Sequence, residues 1–306
     1  MTKKSRRATA QVAGLAVLCA VAVPTAASAA SGTSIVAGPL KVKDYSMTVM
    51  ANDGAQDSMS VMFSRRAGKA SQTHFYTFSQ GVSVTTNKSM SKARVKADLG
   101  RYGAVDLKLT GVAAARRGTT PKGCTGKAGK LRRGTLKGNF RLVADSTYFK
   151  TVTAKSLKGQ LARGGVFKCG GGPNDPSAGG GSGETMLTST STGPDGLLML
   201  TMVKDAKGAV TQQAMRSDDD AKAAPASIMH MINAPGAASA FAPSADLSSA
   251  TGSGVSPFFS GSFSFAAEEP MAGMASGTLD GDLAARFDSI GTQALAAGAD
   301  AMLMQR

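Results

Sequence analysis

Side chains that carry catalysis or stack sugars are scarce in this sequence. It has no Trp, four Tyr, two His and three Glu among 306 residues. The two histidines, His74 and His230, leave few groups for nucleophilic or metal catalysis, and no nucleophile elbow, His-Glu-x-x-His helix or phosphate-binding loop is present. The composition therefore favours a non-enzymatic protein, in which His74 is a structural ring beside Tyr76 and Phe78.

The alternative function is that of an extracellular hydrolase of an unrecognised type. Such an enzyme needs little more than two carboxylates about 5 to 9.5 Å apart. Asp280 and Asp282 alternate with Gly281 and so could share one face of a strand. The low aromatic content disfavours glycosidases and lectins in particular, because both usually hold sugars on aromatic rings.

Methionine is the soft metal ligand in good supply, with sixteen in the chain. Four pairs have the spacing Met-x-x-Met, and thioethers suit Cu(I). Residues three apart on a strand point to opposite faces, however, so these pairs cannot share one ion within a strand. We therefore predict that the methionines fill gaps in the core, and we expect no metal or cofactor.

The first 29 residues have the features of a signal peptide. Four cations (Lys3, Lys4, Arg6 and Arg7) precede an uncharged run over 8–23, and Ala27-Ser28-Ala29 offers the small residues of a cleavage site. The general secretory route is favoured over the twin-arginine route, because Thr9 and Ala10 occupy positions that usually carry large apolar residues in a twin-arginine signal. We expect a secreted protein, extracellular or bound to the cell envelope, with no membrane span in the mature chain.

Cleavage after Ala29 removes Cys19 and leaves Cys124 and Cys169. No Cys-x-x-Cys spacing is present, and two cysteines in an oxidising compartment most simply pair with each other. The sequence therefore predicts a Cys124–Cys169 disulfide. In the chain-entropy model, closing that loop stabilises the fold by about 4 kcal/mol.

Charge divides the remaining chain into two unequal parts. Residues 30–170 carry 25 Lys and Arg against 6 Asp, whereas residues 171–306 carry 6 against 14 acidic residues. A Gly-, Pro- and Ser-rich stretch separates the parts and cannot bury a core. We predict a basic unit over 30–169, a linker over 170–185 and an acidic unit over 186–306, drawn together by salt-sensitive attraction.

Hydrophobic residues alternate with polar ones through the basic half, which predicts β-strands. The pattern is clearest in Lys92–Leu99 and Val105–Thr110, which read as a hairpin with one wet face. Similar short runs at regular intervals are typical of an all-β fold, and we expect an antiparallel β-sandwich. In the acidic half, Leu279–Asp288 reads as one strand, and 293–304 is compatible with a strand or a short helix.

Two paired segments suggest that the halves are related. Gly-x-Phe-x-Leu-x-Ala over 138–144 is followed by Leu-x-Gly-x-Leu over 157–161. A similar pair, Gly-x-Phe-x-Phe-x-Ala and Leu-x-Gly-x-Leu, covers 261–267 and 279–283. Equivalent positions of these segments in their sheets would indicate a duplication.

Segments of both halves resemble secreted, β-rich proteins of high-GC actinobacteria. The resemblance lies in Gly123–Leu142 and Tyr148–Lys155 and, in the second half, in Val255–Phe265. It implies export and β structure, and it assigns no activity and no site.

The distribution of cations in the basic half predicts that it binds anionic polymers of the cell wall or its surroundings. Alternation places cations on one wet face and a following loop and strand continue the run: Lys92, Arg94, Lys96, Lys108, Arg116, Arg117, Lys130, Arg132 and Arg133. Unopposed cations on one face repel, and a bound polyanion would relieve that repulsion. The alternative is a solvated face that keeps the protein soluble. The basic stretches lack interleaved aromatic residues for stacking bases, so sequence-specific nucleic-acid recognition is not expected.

We predict that denatured, unreduced mature protein contains no free thiol, because Cys124 and Cys169 form a disulfide. Titration with a thiol reagent, before and after reduction, measures this directly. Two reactive groups before reduction would contradict the pairing.

Overall fold

The computed structural model describes residues 32–118, 124–127, 129–144, 148–164, 166–169, 183–193, 196–218, 226–254, 256–271 and 273–305, and these form an almost entirely β structure. The strands up to residue 169 are β1 (Thr33–Val42), β2 (Tyr45–Asp53), β3 (Ser58–Ala67), β4 (Ala70–Phe78), β5 (Val82–Thr86), β6 (Ala93–Asp98), β7 (Gly103–Thr110), β8 (Arg116–Arg117), β9 (Cys124–Lys127), β10 (Lys130–Val143), β11 (Thr151–Arg163) and β12 (Val166–Cys169). The later strands are β13 (Thr185–Gly193), β14 (Gly196–Lys204), β15 (Val210–Asp218), β16 (Ala226–Gly236), β17 (Phe241–Pro243), β18 (Ser249–Ser253), β19 (Phe259–Ser260), β20 (Ser262–Met271), β21 (Met274–Gly281), β22 (Ala284–Phe287), β23 (Gly291–Ala294) and β24 (Ala299–Gln305).

The main strands of the first half form a serpentine antiparallel sheet. Its order is β4-β3-β2-β1-β11-β10-β7-β6-β5, so a four-strand meander is followed by five strands that return to pair with β1. The last strand in this order, β5, packs against β2 and β3. The sheet therefore curls over a core of its own, as in a β-sandwich.

The second half repeats this order strand for strand. It runs β16-β15-β14-β13-β24-β21-β20-β18-β17, and its last strand again packs against the second strand of the meander, β14. Each half thus places its fourth meander strand, β4 or β16, at one end of the order.

These two end strands pair with each other and join the halves into one continuous sheet. The antiparallel β4–β16 ladder runs over eight residue pairs, from Ala226 opposite Phe78 to Asn233 opposite Ser71, with His230 opposite His74. Backbone hydrogen bonds therefore hold the halves together, rather than charge attraction alone.

Buried apolar side chains form two clusters, one in each half. The first includes the aromatic residues Phe63, Phe78 and Phe140, and the second includes Phe241 and Phe265. At the shared ladder each half contributes to the other's cluster, because Ile228 of β16 joins the first and Ala70 of β4 joins the second. The chain thus has two cores that share a boundary.

The hairpin predicted over Lys92–Leu99 and Val105–Thr110 is confirmed, whereas the single strand predicted over Leu279–Asp288 needs correction. β6 alternates between buried and exposed residues as expected, and residues 291–294 and 299–305 are strands rather than a helix. The expectation of one strand over Leu279–Asp288 is wrong: β21 ends at Gly281, whose φ of 138° breaks the extended backbone. β22 then starts at Ala284 in a separate small sheet with β19 and β23.

The similar segments of the two halves do not occupy equivalent positions. β10 and β11 lie next to the first meander, whereas β20 and β21 are separated from the second meander by β24. By strand order the counterparts of β10 and β11 are β21 and β24. The two halves are therefore related by their strand order. The sequence pattern matched β10 and β11 to β20 and β21, which is wrong by one strand.

The predicted disulfide and linker lie at the margin of what the structure describes. β9 and β12 pair with Cys124 directly opposite Cys169, and residues directly opposite in an antiparallel pair have Cα atoms about 4.5 to 5.5 Å apart, a separation that suits a disulfide. Of the predicted linker, residues 170–182 lie outside the described residues, and β13 already begins at Thr185. Among the described residues, no helix is long and apolar enough to cross a membrane.

The β4–β16 ladder predicts that the compactness of the protein does not depend on salt. Screening weakens attraction between charged surfaces but leaves a backbone ladder intact. Small-angle scattering should give the same radius of gyration at low and high salt. An increase in radius with salt would show that charge attraction holds the halves together.

Candidate functional site

A row of cations crosses three adjacent strands of the first half. Arg94 of β6 lies opposite Lys108 of β7, and Lys108 lies opposite Lys137 of β10. All three side chains are on the exposed face. Like charges directly opposite one another in a sheet are destabilising, so this row retains unfavourable repulsion in the isolated chain.

One end of this row opens into a groove of about 370 Å³. Its walls carry three cations from the predicted set (Lys92, Arg94 and Lys108) and the polar side chains of Thr85, Thr86 and Asn87, with Ala93 and Leu109 completing the lining. Ammonium, guanidinium, hydroxyl and amide groups all donate hydrogen bonds, which anionic oxygens accept.

Arg163 of β11 holds the loop that forms one wall of the groove. Its Nη1 donates to the carbonyl oxygens of Asn87 at 3.0 Å and Lys88 at 3.2 Å, and its Nη2 donates to Thr86 Oγ1. Within the loop, Lys92 N donates to Asn87 Oδ1 at 3.0 Å. The wall is thus tied to the central sheet rather than left as a free hairpin end.

The expectation that these cations are unopposed is wrong for Arg94. Its Nε and Nη2 donate to the two carboxylate oxygens of Asp106 at 2.8 and 2.6 Å. The guanidinium lowers the pKa of Asp106, which keeps this carboxylate charged. Asp106 also lies opposite Lys96 in the register, so the strongest unpaired positive character falls on Lys92, Lys108 and Lys137.

The remaining five predicted cations lie apart from the groove. β8 pairs with the start of β10, where Arg117 lies opposite Lys130, seven residues or roughly 23 Å along the strand from Lys137. Arg116 and Arg133 are exposed in the same region, while Arg132 is half-buried and donates to the carbonyl of Ala113 at 3.3 Å. The structure therefore divides the predicted set into three cations in the groove, five in a second basic cluster, and Lys96, which does not line the groove and lies opposite Asp106.

Both histidines of the chain meet in a buried network at the β4–β16 ladder. His74 Nδ1 lies 2.9 Å from His230 Nδ1, and both rings are fully buried. Ser289 Oγ is 3.1 Å from the first nitrogen and 2.9 Å from the second. The sequence predicted that His74 is a structural ring packed beside Tyr76 and Phe78. Its ring nitrogens instead make hydrogen bonds with Tyr45, His230 and Ser289, which come from three other segments.

From His74 the network continues to the surface through Tyr45. His74 Nε2 lies 3.3 Å from Tyr45 Oη, and Tyr45 Oη donates to Asp288 Oδ2. Arg65 then pairs with Asp288 at 2.6 Å and with Asp44 at 2.7 Å. With His74 protonated on Nε2, successive donors point from the ladder toward the Asp288 carboxylate.

The surroundings set the charge states along this chain of groups. Burial, the neighbouring His230 and the charge of Arg65 lower the pKa of His74 to about 3, so this ring is neutral at physiological pH. Hydrogen bonds from Arg65 and Tyr148 lower the pKa of Asp44 to about 2. Burial and Asp288 raise the pKa of Tyr45, which keeps its proton.

Gln72 adds a second contact between the halves beside the histidines. Its Nε2 donates to the carbonyl of Arg286 at 2.9 Å, and its Oε1 accepts from Asp288 N at 3.0 Å. The side chain is fully buried. Together with the histidine network, it fixes the segment after β22 against β4 of the other half.

The two carboxylates proposed for hydrolysis, Asp280 and Asp282, do not lie on one continuous strand, because β21 ends at Gly281. The backbone turns at Gly281 between Asp280 and Asp282, and Asp282 Oδ1 accepts from Ser262 N at 2.7 Å. That hydrogen bond lowers the pKa of Asp282, whereas a general acid requires a raised pKa. Ser289 has histidine neighbours but is only 2% exposed. Within the described ranges, no three His, Cys, Asp or Glu side chains are grouped to hold a metal ion.

No family model matches the chain, and no curated protein matches it. Among solved structures it matches kievitone hydratase from Nectria haematococca, at 8% identity over 90% of each chain and with a TM-score of 0.23. At that score the likeness supports no inference about this chain.

Sequence reasoning missed three features of these sites. Lys137 was not predicted as a neighbour of Lys108, because the β7–β10 pairing skips two strands in sequence. Asp106 stands on the wet face of the predicted hairpin, so its pairing with Arg94 was within reach of the pattern. Three contacts of the histidine network join residues 156 to 243 positions apart, so the network depends on which distant segments pack together.

The lowered pKa of His74 predicts that stability falls with pH below neutrality. The unfolded chain binds a proton at this ring near its ordinary pKa of 6.5, and the folded chain does so only near 3. The stabilisation is therefore complete above pH 6.5 and is lost as pH falls toward 3, by up to about 1.4 kcal/mol per pH unit.

Denaturant unfolding between pH 7 and 5, where carboxylates titrate little, measures this slope, and His74→Gln should make it shallower. An NMR titration of His74 in the wild-type protein gives the folded-state pKa without a variant. A ring that titrates near pH 6.5 in the folded protein would contradict the prediction.

Proposed function

We propose that the mature protein is secreted and binds anionic polymers through the groove between β5, β6 and β7, without acting as an enzyme. The observation that carries this is the cation row, in which Lys108 lies directly opposite Lys137 on one side and Arg94, already paired with Asp106, on the other. An isolated chain gains nothing from that arrangement, whereas a row of anionic groups laid across the strands would neutralise it.

The groove suits a short stretch of polymer. Its volume of about 370 Å³ is at the lower end of the range for small-molecule sites, roughly 300 to 1,000 Å³. A few phosphate or carboxylate groups can therefore lie between Lys92, Lys108 and the hydroxyl of Thr85. The rest of the polymer would continue over Lys137 on the same face.

The chemistry favours phosphate- or carboxylate-bearing wall polymers over a specific nucleic-acid sequence. No aromatic side chain lines the groove, so bases would find no stacking surface. Lysines act as point charges and tolerate varied anionic partners, whereas the one groove arginine is already occupied by Asp106. The basic cluster around Arg117 and Lys130 would add a second, weaker contact for a long chain.

We predict that neutralising Lys92→Gln, Lys108→Gln and Lys137→Gln together weakens polyanion binding and its salt dependence. By the counterion-release relation for DNA, losing three contacts lowers the slope of log affinity against log salt by roughly 2 to 3. Binding to polyphosphate and to wall polymer, measured at several salt concentrations, tests this.

The matched control neutralises three exposed lysines that do not line the groove: Lys41→Gln, Lys69→Gln and Lys207→Gln. It removes the same net charge and should keep most of the affinity. If the two variants lost the same amount of affinity, binding would depend on net charge alone and not on the groove. A wild-type protein that passes unretained through heparin and wall-polymer columns at low salt would refute the proposal.

A further inference from the structure

Methionine is distributed unusually in this fold. Of the fifteen methionines in the described residues, four are buried (Met47, Met59, Met90 and Met202), and the other eleven are at least partly exposed. Met271 and Met302 are 52% and 39% exposed. This corrects the expectation that the methionines mainly fill the core.

Five outward methionines are neighbours across four strands of the second half. Met271 of β20 lies opposite Met274 of β21, Met274 lies opposite Met304 of β24, and Met304 lies opposite Met186 of β13. Met302 stands two residues from Met304 on the same face of β24. We call these five residues the methionine row.

The register of the strands overcomes the objection raised by the sequence. Residues three apart on one strand point to opposite faces, but residues directly opposite on paired strands point to the same face with Cβ atoms about 4.5 to 5.5 Å apart. A methionine side chain has three rotatable bonds, so neighbouring sulfur atoms can converge on one point. Met271 and Met274 are brought together by the tight turn through Gly273, whose φ is 75°.

The residue type itself indicates that sulfur matters here. Exposed faces of strands favour Thr, Val, Ile and aromatic side chains, and Leu or Val would supply the same apolar area as Met. Four consecutive cross-strand positions instead carry thioethers. Thioethers are soft ligands that select Cu(I) over Zn²⁺, Ca²⁺ or Mg²⁺.

Charge in this half also favours a cation. Residues 171–306 carry 14 acidic against 6 basic side chains. Within the row, Met302 lies opposite the uncharged residues Ser276 on β21 and Thr188 on β13. No positively charged side chain therefore occupies those two cross-strand positions, where it would repel a bound cation. A monovalent ion on neutral sulfur ligands would keep its charge within a favourable field.

We propose that the methionine row (Met186, Met271, Met274, Met302 and Met304) binds a soft monovalent metal ion, Cu(I), through the thioether sulfurs of adjacent members of the row. The site is separate from the groove of the first half and does not depend on the function proposed for it. It is formed by the sheet register and exists once the second half has folded.

Replacing the five residues together by Leu tests the proposal, because Met→Leu keeps volume and apolar character and removes the sulfur. The mature protein, with its cysteines alkylated, competes for Cu(I) with a chromogenic chelator under anaerobic, reducing conditions. We expect wild-type protein to withdraw Cu(I) from the chelator and the five-Leu variant to bind about tenfold more weakly or worse, a loss of about 1.4 kcal/mol or more.

Met50→Leu with Met62→Leu is the matched control, since these outward methionines lie opposite Ser60 and Thr48 rather than another methionine. It should bind Cu(I) like the wild type. NMR of ¹³C-methyl methionine with Ag(I) as a probe should shift the five row signals first, and Zn²⁺ should not shift them. Wild-type protein that takes up no Cu(I), or a five-Leu variant that binds as tightly as wild type, would overturn the proposal.

Discussion

The pairing of β4 with β16 is the contact on which the rest of the molecule depends. It satisfies backbone groups that would otherwise form an open edge in each half, and it brings the buried imidazoles of His74 and His230 together with their ring planes at 64° to each other. Buried polar atoms require partners. Ser289 supplies one to both rings, and Tyr45 links His74 to the ion pairs of Asp288. The ladder therefore dictates where the segment after β22 must lie, and the polar network in turn makes the register of the ladder unique, because a slip of β16 by one residue against β4 would turn His230 to the face opposite His74.

The all-β class and much of the first half could be predicted because alternation is local. The eight residues Lys92–Leu99 alternate between apolar and polar, which predicts one buried and one exposed face, and β6 has that alternation of buried and exposed residues. The order of the strands is not local, since β1 pairs with β11 across more than a hundred residues. The relationship between the halves was sought in similar Gly-rich segments, which proved to be unlike strands. A better signal was present in Ala70-Ser71-x-x-His74 and Ala226-Ser227-x-x-His230, which begin the paired fourth strands. Neither histidine indicates the pairing by itself, because the signal lies in the pattern that the two segments share.

In the candidate sites, too, local sequence patterns predict which residues share a face of one hairpin but not which distant strands lie side by side. Lys92, Arg94 and Lys108 were predicted to share a wet face, and the structure places all three around one groove. The partner of Arg94 and the contribution of Lys137 depend on which strand lies beside which, and the continuation to Arg116 and Arg117 fails for the same reason. The methionines show how a correct local rule can mislead. Residues three apart on a strand do diverge, yet the sheet brings residues of different strands together, and only the register reveals it.

The meeting of equivalent strands has a consequence for the symmetry of the molecule. Because His74 and His230 hold the same place in two halves of the same strand order and lie directly opposite each other, a local two-fold axis passes between them. A first half alone would present β4 as an open edge complementary to itself, so two copies could associate as an isologous homodimer with His74 facing its own counterpart. In the single chain that association is intramolecular, and its effective concentration is set by the connection between the halves rather than by the abundance of the protein. The covalent tandem also frees each side to diverge, so that one half carries a basic groove and the other an acidic, methionine-lined face, a difference that identical subunits could not maintain.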